Sequence, residues 1–63
     1  MTLEEFEDEV RQAIERILNH LQTANLLASR SAREAQAEIV RTGRLVEELG
    51  QIIEDFIEQQ RQR

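Results

Sequence analysis

The chain has no cysteine, no proline, no tyrosine, no tryptophan and no lysine among its 63 residues. Each absence excludes something. Without cysteine there are no disulfides and no thiolate sites for metal or nucleophilic chemistry. Without proline nothing rigidly interrupts a helix. A lone histidine, His20, gives no basis for a structural zinc site. Aromatic content is 3%, the two residues Phe6 and Phe56, so base-stacking platforms for nucleic acid are lacking. No apolar run is long enough to span a bilayer; the longest is Leu26-Leu27-Ala28. The first residues, Met1-Thr2-Leu3-Glu4-Glu5, are acidic where a signal peptide is basic, which sets a cytoplasmic location as the expectation.

What is present is helical. Leu3, Phe6, Val10, Ala13, Ile14, Ile17, Leu18 and Leu21 recur at threes and fours, and so do Ala35, Ile39, Leu45, Val46, Leu49, Ile52, Ile53, Phe56 and Ile57. That is helix period and not strand period. Thr2 with Glu5 forms a capping box that opens a first helix, expected over about 3–28. Ser31 with Glu34 forms a second, opening a helix expected over about 32–60. The segment Leu27-Ala28-Ser29-Arg30 between them is the place for a chain reversal. Gly43 and Gly50 lie inside the second helix, each costing about 1 kcal/mol against Ala.

Let heptad position a fall on Ile14, Leu21, Ala28, Ala35, Thr42, Leu49 and Phe56. The apolar residues of the first helix then occupy g, d, a and e; those of the second occupy d, a, e and b. Each stripe spans roughly 160°, wider than the two lanes a paired coiled coil requires. Stripes this wide suit a helix with two neighbours, as in a four-helix bundle. The expected fold is therefore all-α: a single domain, 1–63, forming a helical hairpin that dimerises antiparallel into a four-helix bundle. The alternative is one long helix in a coiled coil. Folding at residue 30 sets Phe6 against Ile53, Val10 against Leu49 or Gly50, Ile14 against Val46 and Leu21 against Ile39. The residues expected to hold the assembly together are Leu3, Phe6, Val10, Ile14, Ile17, Leu21, Ile39, Val46, Leu49, Ile53 and Phe56.

The charge is polarised along the chain. Residues 1–15 carry six acids and one Arg, residues 16–44 five Arg and two Glu, and residues 45–63 five acids and two Arg. In a hairpin the open end holds −8 and the turn end +3, which add to the chain's net −5. An antiparallel dimer sets each basic turn beside the partner's acidic open end.

No residue set specifies chemistry. Ser29, Ser31 and His20 share no nucleophile–base pattern, and no Gly-rich phosphate loop occurs. The Glu-x-x-His motif of bundle di-metal sites is missing, because Ile17 stands three residues before His20. The expectation is a non-enzymatic interaction or scaffold module with no cofactor and no membrane contact. Its partner is itself, with another protein as the alternative, as in a subunit of a hetero-oligomeric helical complex. Arg30, Arg33, Arg41 and Arg44 form a basic cluster near the turn, the sites that a small nucleic-acid-binding regulator would use, against an acidic total that opposes that reading. Leu26 and Val40 stand off the stripe at position f as further candidate contacts.

Overall fold

The computed structural model describes residues 1–62 as two helices, α1 (Leu3–Ala28) and α2 (Ala32–Arg61), packed antiparallel as a hairpin. The single long helix is thereby excluded. α1 opens on the full capping box: the Glu5 amide donates to the Thr2 hydroxyl at 3.1 Å and the Thr2 amide donates to Glu5 Oε1 at 3.0 Å. That hydrogen bond to Thr2 is the main reason the Glu5 carboxyl is held below its ordinary range.

The reversal needs neither glycine nor proline. Ser29 stays in the right-handed helical region (φ −82°, ψ −11°), and Ser31 is extended (φ −153°, ψ 110°). Both conformations are open to any L-residue. The Leu27 carbonyl accepts from the Arg30 amide at 2.9 Å and the Ser31 amide at 2.7 Å. Only half of the second capping box therefore forms. The Ser31 hydroxyl accepts from the Glu34 amide at 3.2 Å, but the Ser31 amide is already engaged at Leu27.

Two helices of 26 and 30 residues rise about 39 and 45 Å, which sets the 51 Å long dimension. Their seam follows a strict three–four spacing: Phe6, Val10, Ala13, Ile17, His20, Ala24 and Leu27 on α1, then Ala35, Glu38, Thr42, Leu45, Leu49, Ile52 and Phe56 on α2. These are lanes g and d of the first helix and a and d of the second. The seam is graded in size. At the open end Phe6 stacks on Phe56, ring centroids 4.0 Å apart and 13° from parallel. Near the turn the helices meet over Ala24 and Ala35. Among the described residues only Ala13, Ala24, Ala35 and Thr42 are buried, and no large side chain is fully buried.

The pairing differs in part from the sequence expectation. Phe6 finds Phe56 as its ring partner, not Ile53. Ile14 with Val46 and Leu21 with Ile39 do not enter the seam; all four are exposed. The seam takes lanes g and d of α1 and a and d of α2, where Ala13, Ala24, Ala35 and Thr42 alternate with larger side chains.

Candidate interaction surface

The seam consumes half of each apolar stripe. On α1, lanes a and e lie to one side of it; on α2, lanes e and b do. Because the helices run in opposite directions, the same sense of rotation off the seam carries both sets to the same side of the hairpin. Ile14, Leu18 and Leu21 from α1 and Ile39, Val46 and Ile57 from α2 thus share one outer face. They are 43%, 52%, 46%, 58%, 51% and 45% exposed. Single exposed apolar residues are ordinary, but a contiguous patch marks an interaction site. Gly43 and Gly50 border it in lane b, and a Cβ on either would meet open space. A shallow groove of about 380 Å³ runs along α1 beside the patch, lined by Phe6, Val10 and Ile14 with Glu7, Arg11 and Glu15 on its rim.

The register can be read from two contacts: Phe6 with Phe56 at the open end and His20 with Glu38 toward the turn. Between them, Ile14 comes level with Val46, Leu18 with Gly43 and Leu21 with Ile39. The residues expected to pair across the hairpin are side by side, but on its outside.

A polar layer interrupts the seam. His20 Nδ1 donates to Glu38 Oε2 at 2.6 Å, and Arg41 donates to Glu38 Oε1 at 3.2 Å. An ionised carboxylate only accepts, so the shared proton belongs to the imidazole nitrogen. The hydrogen bond from His20 leads the causes that hold the Glu38 carboxyl below its ordinary range, with the charges of His20 and Arg41 adding to it and burial opposing. One turn on, the Thr42 hydroxyl donates to the Glu38 carbonyl at 2.8 Å. Among the described residues no buried side-chain polar atom lacks a partner. The sequence signal that joins His20 to Glu38 is that both are level when the chain folds near residue 29.

Of the residues expected at an assembly interface, Phe6, Val10, Ile17, Leu49 and Phe56 lie in the intramolecular seam, with Ile53 half-buried at its edge. Ile14, Leu21, Ile39 and Val46 lie on the outer face, and Leu3 is exposed at the open end. Leu18 and Ile57 belong to that face and were not singled out beforehand, although both sit in the stripe. The Arg residues do not converge on it. Arg41 and Arg44 fall in lanes g and c, on the opposite polar side with Arg16; Arg30 stands in the turn, and Arg33 falls on the outer flank of α2. Arg41 is committed to Glu38. Leu26 and Val40 are exposed in lane f, outside the patch. No group of three or more His, Cys, Asp or Glu is placed to hold a metal, and no helix is long and apolar enough to cross a membrane, among the described residues.

No protein family, curated protein or solved structure matches this chain.

Proposed function

We propose that the protein is a non-catalytic interaction module that completes a four-helix bundle, packing its outer apolar face on a second pair of helices. The observation that carries this reading is the outer face on which Ile14, Leu18, Leu21, Ile39 and Val46 lie exposed together, with Ile57 further toward the open end. The thin core supports it. Three alanines and a threonine are the only buried side chains among the described residues, a core that gives a hairpin of this size little stability alone. Packing a second layer on the face supplies the apolar burial that the seam lacks.

Sedimentation equilibrium with circular dichroism across a dilution series tests it. The expected result is a mass above the 7.4 kDa of one chain, with helicity lost as dilution returns the mass to that value. A weakly helical single chain that gains helix when a helical partner protein is added also meets the expectation. A chain that stays fully helical at single mass at every concentration overturns it.

A further inference from the structure

We propose that the second pair of helices is another copy of this chain, docked antiparallel, so that the turn end of each hairpin covers the open end of the other. This rests on the reading of the outer face as a helix-packing surface, and it adds the identity and orientation of what covers it.

Three observations converge. The first is area. A folded monomer of 7.4 kDa exposes about 4200 Å², whereas this hairpin exposes 5180 Å². The excess, about 1000 Å², compares with the roughly 800 Å² that each partner contributes to a standard stable interface. The second is position. The patch is centred near the level of Ile14 and Val46, close to the midpoint of a 51 Å hairpin. A two-fold axis through that centre lays apolar face on apolar face with the two lengths almost coincident, the self-complementary contact of an isologous dimer. Gly43 and Gly50 carry no side chain into the space a facing helix would take, and nothing within the hairpin fills it.

The third is charge, and it selects the orientation. A parallel dimer would set an open end of −8 on another of −8, and a turn end of +3 on another of +3. The antiparallel dimer sets −8 beside +3 at both ends. Glu4, Glu7 and Asp8 occupy the first turns of α1 on lanes e, a and b, around the outer face; the turn-end arginines lie off that face, so the attraction acts between the net charges of the two ends and not through paired side chains. Apolar burial holds such a pair of layers together; the arranged charge excludes the parallel alternative.

The chain has no cysteine, so Ser29→Cys introduces a single labelling position at the turn end. Spin-labelled chain is measured by pulsed dipolar spectroscopy on samples whose mass is fixed by sedimentation. The antiparallel dimer places the two labels apart by a distance approaching the 51 Å long dimension. It also weakens as salt is added. A parallel dimer brings the labels within about two helix diameters, roughly 20 Å, and strengthens with salt; that result overturns the orientation while leaving the packing face intact. Single-chain mass with no dipolar signal overturns the second copy as occupant. If that single chain is poorly helical, the packing reading survives with a different partner; if it is fully helical, both fall.

Discussion

Replacing Leu18 with Gln separates the outer face from the seam. Leu18 is 52% exposed in the hairpin and touches the outer patch, not the lanes g and d that close α1 on α2. Burying a whole leucine side chain contributes about 1.5–3 kcal/mol, so covering its exposed half contributes about 1 kcal/mol. A two-fold assembly loses that contribution twice, about 2 kcal/mol, which weakens the dimer about 30-fold. Glutamine has nearly the helix propensity of leucine, so the isolated hairpin keeps its helicity. The assay is sedimentation equilibrium over a concentration range bracketing the wild-type Kd, with circular dichroism on the same cells. Leu26→Gln is the control: Leu26 is 71% exposed, more than Leu18, but stands in lane f away from the patch. Its Kd is expected to match wild type. Equal Kd values for Leu18→Gln and wild type would refute the assignment of the face. So would an equal weakening by Leu26→Gln, which would make the effect one of general hydrophobicity.

Further expectations concern the hairpin itself. Ala24→Leu forces a large side chain into a buried part of the seam, level with Ala35, and is expected to cost about 1–3 kcal/mol in urea unfolding. Gly43→Ala meets open space within the hairpin and restores helix propensity, so the single chain gains about 1 kcal/mol, read as a higher thermal midpoint at high dilution. The Glu38 carboxyl is held below its ordinary value of 4.5, first by the hydrogen bond from His20. A depressed carboxylate stabilises the fold above the unfolded-state pKa, and that contribution is lost as pH falls through the folded value. The thermal midpoint should therefore drop on acidification below about pH 4.5, and Glu38→Gln should flatten that part of the profile.

The helices themselves were legible because nothing in the sequence competes with them. Thr2 and Glu5 mark the start of α1, no proline interrupts either helix, and Ser31 marks the start of α2. The reversal was legible only through Ser31, since its backbone uses conformations that leave no glycine or proline signature. The division of each stripe was not legible. Four adjacent apolar lanes offer several seams of similar hydrophobicity, and pairing large residue with large residue favours Ile14 with Val46 and Leu21 with Ile39. The hairpin instead brings Ala13, Ala24, Ala35 and Thr42 into the seam, and joins His20 to Glu38 toward the turn. The small residues of the seam and its part-buried polar pair are not visible in a count of apolar positions. That division leaves Ile14, Leu18, Leu21, Ile39 and Val46 outward and creates the candidate site.

Methyl solvent accessibility tests the central claim most directly. With a soluble paramagnetic probe, relaxation enhancement is measured for the methyl groups of Ile14, Leu18, Leu21, Ile39 and Val46, and for those of Leu26 and Val40, as protein concentration rises. The expected result is that the first set becomes shielded while Leu26 and Val40 stay accessible. Equal accessibility of both sets at every concentration, or shielding confined to Leu26 and Val40, would contradict it.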